Sequence, residues 1–525
     1  TTIAVWEGNK LTLYDSTQDL ANTQQTIATM FQLPLENVRV IARYVGGGFG
    51  SKLTMGGQAE LAAMAARHLN RPVKIAITRQ MAQTNAGFRQ QNRQHFRLGA
   101  TPDGTLTALA HEITTHTATH DLFVEQTGVI SQMMYAVPNL LTTHRVFPLN
   151  TQVPCPTRAP GEAPGSFALE SAMDELAYQL KMDPIALRIK NEPTRNPADG
   201  KPWSSRSLVP AMQMGAAKFG WDKRRPEPRS TKQGNWLVGY GMAAASRAAL
   251  QRETSARVIL TRQNRSVTAV IELAATDIGT GSYTILTQTA AERLGLPINQ
   301  VKVKLGDSAL PATPGSGGSW GAASYGSAVD AVCTKALTEL RQQANRADSD
   351  TATVADLMKG ARLASFQTEV TDKPPADKVN YASYSFGAHF CEVWVDELLG
   401  IVRVKRFVMA AAAGRILNPK TASSQVIGAI IWGTGMALME ESLLDSRYGN
   451  FTTRTLADYH VPVQLDIGAI EVVFVPDEDH IVNRLGVKGI GEMPMTGVAA
   501  AIANAVFNAT GKRVRELPIT PDKLL

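Results

Sequence analysis

The chain has 525 residues, 44% of them hydrophobic and 19% charged, which is enough for more than one domain and a large core. No apolar run approaches membrane-spanning length. The net charge of +7 is partly local, because Lys223, Arg224, Arg225, Arg229 and Lys232 share one short segment, so it does not mark a nucleic-acid surface.

Thr1 begins almost in mid-strand, with no initiator Met and no signal peptide. Two origins are open: an upstream part of the subunit lies outside this chain, or a cut has freed Thr1, which could then act as an N-terminal nucleophile in a self-processed hydrolase. Ile3–Trp6 and Leu11–Ser16 flank Glu7-Gly8-Asn9 as a hairpin. A helix runs from about Asp19 to Phe31, a strand from Val38 to Val45, and a glycine-rich loop follows at Gly46–Lys52. Gln58–His68 reads as an alanine-rich helix and Val73–Thr78 as a strand. A long hairpin turns at Pro102-Asp103-Gly104. Beyond it, His111 and His116 are one residue too far apart for a zinc-binding HExxH and point to opposite faces of a strand. A loop at Arg158–Gly165 opens a helix from Ser166 to about Leu180.

Asp222–Asn235 has charges, two prolines and no apolar residue, so it reads as a linker at 223–235 between halves 1–222 and 236–525. The second half continues with strands at Leu237–Ala245 and within Arg257–Thr276. A helix opens at Gly279-Thr280-Gly281-Ser282, a Gly/Ser loop spans Pro314–Ser319, and residues 341–379 read as a polar, exposed excursion. Gly414–Thr421 leads into a long helix with Thr421, Gln425 and Gly428 on one face, where the N-terminus could hold a pyrophosphate. The last helix, Val498–Thr510, has Thr496 as its expected cap and Gly511 as its stop.

An internal repeat organises these elements. Phe31-Gln32-Leu33-Pro34-Leu35-Glu36-Asn37-Val38-Arg39-Val40 matches Leu294-Gly295-Leu296-Pro297-Ile298-Asn299-Gln300-Val301-Lys302-Val303. Each copy follows a helix and leads through a strand to a glycine-rich loop. Two related halves are expected to offer paired loops to one elongated ligand.

Gly46-Gly47-Gly48-Phe49-Gly50-Ser51-Lys52 fits neither a phosphate-binding P-loop nor GxGxxG, but it suits backbone amides approaching a planar or anionic group. Near the C-terminus, Gly486-Val487-Lys488-Gly489-Ile490-Gly491-Glu492 places one carboxylate after a run of glycines. That glutamate either favours the dipole of the following helix or does chemistry. Lys488–Glu492 with its small-residue helix, and Gly46–Lys52, resemble signatures of the xanthine oxidase family of molybdenum hydroxylases. Within that family the chain is most similar to the molybdenum-binding large subunits of bacterial aldehyde oxidoreductases. Ser16-Thr17-Gln18, Arg158–Gly161, Gly279–Gly281, Ser319–Gly321 and Gly414–Thr421 resemble further family segments in the same order. Thr280 stands where many members have glutamine.

The resemblance implies an α+β fold of two elongated mixed α/β domains related by duplication, with a molybdenum cofactor between them. It implies Glu492 as general base. It places the cofactor against Gln18, Gly47, Gly48, Phe49, Gly50, Arg158, Gly279, Thr280, Gly281, Ser282, Ser319, Trp320, Gly321, Arg415, Ile416, Leu417, Asn418, Pro419, Lys420, Thr421, Gln425, Lys488, Gly489, Ile490 and Gly491. No side chain is expected to ligate the metal, which the pterin holds. Arg247, the one charge in a run of small apolar residues, and Leu53, where purine-hydroxylating members carry glutamate, are expected at the substrate pocket. The cofactor is expected to be molybdopterin cytosine dinucleotide and the substrate an aldehyde; another hydroxylase acting on N-heterocycles is the alternative. Three separated cysteines (Cys155, Cys333, Cys391) cannot supply the four thiolates of an iron–sulfur cluster. Partner subunits carrying [2Fe-2S] and FAD are therefore expected, in a bacterial periplasm or cytoplasm.

Overall fold

The computed structural model describes residues 1–347 and 351–525. Thr2–Glu7 (β1) and Lys10–Tyr14 (β2) pair antiparallel, Ile3 opposite Tyr14 and Glu7 opposite Lys10. Leu20–Phe31 (α1) is capped by Asp19, which accepts from Asn22 N–H at 3.0 Å, and ends at Gln32 in a left-handed conformation. The chain returns as Val38–Ile41 (β3), parallel to β2. This strand stops short of the expected Val45 because Ala42 N–H leaves the sheet to bond Gly306 O at 2.8 Å. Gly57–Leu69 (α2) then crosses to Val73–Ile75 (β4), giving the order β3-β2-β1-β4. Alternate strand residues (Ala4, Leu11, Leu13, Val38, Val40) and one face of each helix (Ile27, Ala62, Ala66) form the core of this unit.

Arg79–Asn85 (α3) precedes a three-stranded sheet of Asn92–Ala100 (β5), Leu106–Ala118 (β6) and Leu140–Leu149 (β7), with Val129–Met133 (α4) between the last two. His111 on β6 is fully buried, and its ring nitrogens contact Ser131 Oγ and Gln94 Oε1, both at 2.9 Å. Burial lowers its pKa to about 3. Glu162–Gln179 (α5) begins one turn before the expected Ser166, since Ala163 and Gly165 already donate to Ala159 and Gly161 and Pro164 is tolerated in a first turn. Pro184–Lys190 (α6) and Leu208–Phe219 (α7) follow. The 223–235 segment is anchored rather than free. Lys232–Gln233 (β8) pairs with the start of Trp236–Ala248 (β9), Arg229 N–H bonds Asn508 O at 3.0 Å, and Arg229 and Lys232 both pair with Glu397.

Thr254–Gln263 (β10), Ser266–Glu272 (β11), Ser282–Leu294 (α8), Val301–Lys304 (β12) and Gly321–Gln343 (α9) repeat the first unit. With Val354–Gly360 (α10) and Ser365–Asp372 (β13) they give the order β12-β11-β10-β13. Antiparallel, parallel and antiparallel pairings fall at the same places as before. The expected exposed excursion at 341–379 is corrected here. Outside positions 348–350, which lie outside the described residues, it holds α10 with Val354, Leu357 and Met358 buried, and the edge strand β13. Its polar residues are the outer face of a strand whose inner face contributes to the core.

Tyr384–Asp396 (β14), Val402–Ala412 (β15), Pro419–Leu438 (α11), a small hairpin of Leu444–Asp445 (β16) and Asn450–Phe451 (β17), Ile467–Phe474 (β18) and Val498–Thr510 (α12) complete the fold. The main sheet has the order β18-β15-β14-β9-β8. Every residue of α12 is buried, and Gly239 and Gly241 on β9 let its backbone lie directly on the sheet. Burying Val498, Ile502 and Val506 contributes about 1.5–3 kcal/mol each. The expected Thr496 cap is not used: Gly497 caps α12, and Thr496 Oγ1 instead donates to Met493 O and accepts from Ser246 N–H.

Candidate active site

The two glycine-rich loops meet at Gln18. Its Nε2 donates to Ser316 O at 2.6 Å, and its Oε1 accepts from Gly50 N–H at 3.0 Å and Lys52 N–H at 3.2 Å. Ser316 N–H in turn bonds Gln18 O at 2.8 Å. Gly48 packs on the Gln18 side chain, and a Cβ on Gly50 would strike Pro156 O. Phe49, Ala159 and Ser319 all have positive φ without being glycine, of 57°, 57° and 56°. Three such residues in facing loops mark backbone held in shape by its surroundings.

Glu492 lies where these loops converge, its side chain 13% exposed. Oε1 accepts from Ala159 N–H at 3.0 Å, and Oε2 from Ser319 Oγ at 3.3 Å and Arg247 Nε at 3.2 Å. Gly489 and Gly491 let the segment leading to Glu492 pass over Ser319, where Cβ atoms would crowd Ser319 at 2.6 and 3.1 Å. Ser385 Oγ holds Gly489 O at 2.7 Å, and Ile490 packs against the main core. Lys488 is turned away: its fully buried ammonium pairs with Asp477 at 3.1 Å and Asp479 at 3.2 Å and bonds Ser205. It anchors the loop and does not face its open side.

Arg158 is buried and donates from Nε to Gly491 O at 2.6 Å and from Nη2 to Gln425 O at 2.9 Å. Burial lowers its pKa to about 10, opposed by Glu492. Arg247 also contacts Glu162. Burial disfavours its charge, yet Glu492 and Glu162 outweigh that and its pKa is raised. Sequence reasoning missed Glu162, Arg89 and Glu125. Arg89 donates to Thr157 O at 3.0 Å and Arg158 O at 2.8 Å while paired with buried Glu125, and so clamps the Arg158 loop. Glu162 lies within the expected Arg158–Gly165 loop, whereas only the tertiary fold brings Arg89 and Glu125 near.

Leu53 lies over Gly317, where a Cβ would come 3.1 Å from its Cδ2. It is not in the wall of the cavity of about 1660 Å³ that Phe49, Phe167, Trp432, Met436 and Met495 help to line. Phe49 meets Trp432 edge to face at 5.1 Å.

A second group lies where α8 and α11 begin, with Gly281 close enough that a Cβ would sit 2.7 Å from Thr421 Cγ2. The Gly279 and Gly281 amides, expected at the cofactor, donate to Asp277 at 2.9 and 3.3 Å. Thr280 and Ser282 retain hydroxyls 3.3 Å apart. Asn418 caps α11 at Thr421 N–H and bonds Gln288 of α8 at 3.1 Å, and Arg415 pairs with Glu292 at 3.0 Å. Pro419 is the first residue of α11, Lys420 is exposed, Leu417 packs beside Leu485, and Ile416 is half-buried. Trp320 Nε1 bonds Gly315 O at 2.7 Å just before Gly321 opens α9.

Backbone that only glycine permits, three non-glycine residues at positive φ, and the starts of α5, α8, α9 and α11 around one region fit a planar, anionic cofactor gripped by main-chain groups. Residues 1–192 and 214–468 each match a molybdopterin cofactor-binding domain. Over 538 aligned positions the chain is 45% identical to the aldehyde oxidoreductase molybdenum-binding subunit PaoC of Escherichia coli (strain K12), spanning all of this chain and 72% of that protein. It is 28% identical to the xanthine dehydrogenase molybdenum-binding subunit of Escherichia coli O157:H7, covering 99% and 73%. Quinoline 2-oxidoreductase from Pseudomonas putida 86 shares the fold with a TM-score of 0.89 at 22% identity, covering 99% of this chain and 73% of that one. Aldehyde oxidoreductase from Desulfovibrio gigas does so with 0.86 at 24%, covering 100% and 58%. Duplicated α/β units with facing glycine-rich loops, and two domain matches that between them span most of the sequence, place the chain in the xanthine oxidase family of molybdopterin-dependent molybdenum hydroxylases.

Proposed function

We propose that this chain is the molybdenum-binding catalytic subunit of an aldehyde oxidoreductase and that Glu492 is its general base. The observation that carries the reading is the setting of Glu492, a nearly enclosed carboxylate held by Ala159 of the Arg158 loop, Ser319 of the second repeat's glycine-rich loop and Arg247 of β9. The 45% identity to PaoC supports an aldehyde over a purine. The cofactor is molybdopterin cytosine dinucleotide. Gln18, Gly47–Gly50, Arg158, Ser319–Gly321, Gln425 and Gly489–Gly491 hold its pterin end, and Gly279–Ser282 with Arg415–Thr421 hold its dinucleotide end. Residues 1–222 and 236–525 are its two cofactor-binding halves. Three separated, buried cysteines cannot build a cluster, so an iron–sulfur subunit and an FAD subunit are the partners.

When bound, the cofactor supplies the two-electron oxidation that converts an aldehyde to a carboxylic acid with water as oxygen source. Glu492 takes up the proton released as the carbon–oxygen bond forms. Its Oε1 has one donor against two at Oε2, and so keeps the freer lone pairs. Arg247 sets a fixed positive charge beside negative charge developing on the substrate oxygen. Phe49 and Trp432 give the approach an apolar edge.

Glu492→Gln tests the reading. The amide keeps size and hydrogen bonding but cannot accept the proton, so turnover falls about a hundred- to ten-thousandfold. Molybdenum content and melting temperature stay near those of the parent. A fully loaded variant whose reduction by benzaldehyde is within a few-fold of the parent overturns the assignment. Clear preference of the parent for hypoxanthine overturns the substrate class alone.

A further inference from the structure

Arg247 is shared. Its Nε reaches Glu492 Oε2 at 3.2 Å, and its Nη1 bonds Glu162 Oε2. The side chains of Arg247, Glu162 and Glu492 are 14%, 9% and 13% exposed, so water screens none of these contacts well. The charged and titratable groups around them come from every packed element. Arg247 comes from β9 and Arg158 from the loop before α5. Glu162 is on α5 itself, with Glu125 and Arg89 beyond it and Tyr384 on β14. Arg158 spends its donors on the Gly491 and Gln425 carbonyls, so the guanidinium bonded to Glu492 is that of Arg247.

A carboxylate that accepts from a guanidinium, an amide N–H and a hydroxyl has its negative charge offset and its lone pairs engaged, which weakens it as a base. Glu162 divides that charge. We propose that Glu162 is a positioning residue that holds Arg247 between two carboxylates and so preserves the basicity of Glu492. The inference rests on Glu492 being the base. Burial raises the Glu162 carboxyl, and Arg247 beside it opposes that rise. A purely structural Glu162 would favour the start of α5 and leave Glu492 unchanged.

The test compares Glu162→Gln, Glu162→Asp and Glu492→Gln in two measurements. In the assembled enzyme, the acid limb of kcat/KM against pH reports protonation of the base. In the full chain without cofactor, the protonated-carboxyl infrared band that vanishes in Glu492→Gln reports the same group without any turnover. In Glu162→Gln both midpoints are expected to move down by about one pH unit, with a several-fold lower kcat on the plateau. Glu162→Asp, which reaches Arg247 less closely, is expected to shift both the same way by less, and it decides alone if Glu162→Gln does not fold. Midpoints that stay put or rise overturn the proposal, as does a lower melting temperature with unmoved midpoints. If Glu492→Gln keeps its turnover, the base reading fails and the infrared midpoint still decides the role of Glu162.

Discussion

The two repeats have the same strand order and the same sequence of elements, yet their glycine-rich loops do different work. In the first, Gly50 has φ 103° and no room for a Cβ, and Gly48 seats the Gln18 side chain, so the loop's shape depends on glycine. In the second, Gly318 has φ 52° and a Cβ there would strike the Trp320 ring, but Gly317 meets only the flexible end of Leu53, and Ser319 adds a further positive φ and the hydroxyl that reaches Glu492. Only the second loop reaches Glu492 with a side chain, through Ser319, while the first brings Phe49 to Trp432. Duplication supplied two facing loops, and divergence at a few positions made them unequal partners in one site.

That inequality can be broken by substitution. Gly50→Ala forces a side chain into a positive-φ position against Pro156 O and is expected to cost about 3 kcal/mol or more, with loss of bound molybdenum. Denaturant unfolding and metal analysis on one preparation read both effects. Gln18→Ala leaves Gly50 N–H, Lys52 N–H and Ser316 O without their partner at the seam between the repeats and is expected to cost about 2 kcal/mol. Gly317→Ala asks only that Leu53 shift, and the unfolding midpoint is expected to move by less than about 1 kcal/mol with full molybdenum. A loss as large as that of Gly50→Ala would make the loops equals. The smallest effect belongs to Arg39 and Asp307, an exposed pair across the seam. A double-mutant cycle is expected to give roughly 0.5 kcal/mol, fading as salt is raised.

Much of this was legible in the sequence because the signals were local. The Leu-Pro turns at 33–34 and 296–297 revealed the duplication, and the apolar spacing of Val498–Thr510 revealed the last helix with its bounds. Other readings failed where tertiary contacts override local pattern. Polarity at 341–379 hid an edge strand, because only one of its faces is covered. Thr496 gave up the helix cap for bonds to Ser246 and Met493. Lys488 matched a motif, but its ammonium is held by Asp477 and Asp479 behind the loop. The clamp of Arg89 on the Arg158 loop spans 69 positions and leaves no trace in either segment alone.

Arg158 also sets an order of events for the growing chain. Its bond to Gly491 spans 333 positions and that to Gln425 spans 267, while Ala159 reaches Glu492 across 333. Contacts so distant in sequence form late, after loop closure has been overcome by the packing of each half. A nascent chain that has not yet released Glu492 from the ribosome has no closed site, however well its first repeat has folded. Cofactor insertion is therefore a step for the finished polypeptide. Once inserted, the cofactor bridges both halves and adds its binding free energy to their association, so the loaded protein resists unfolding more than the empty one.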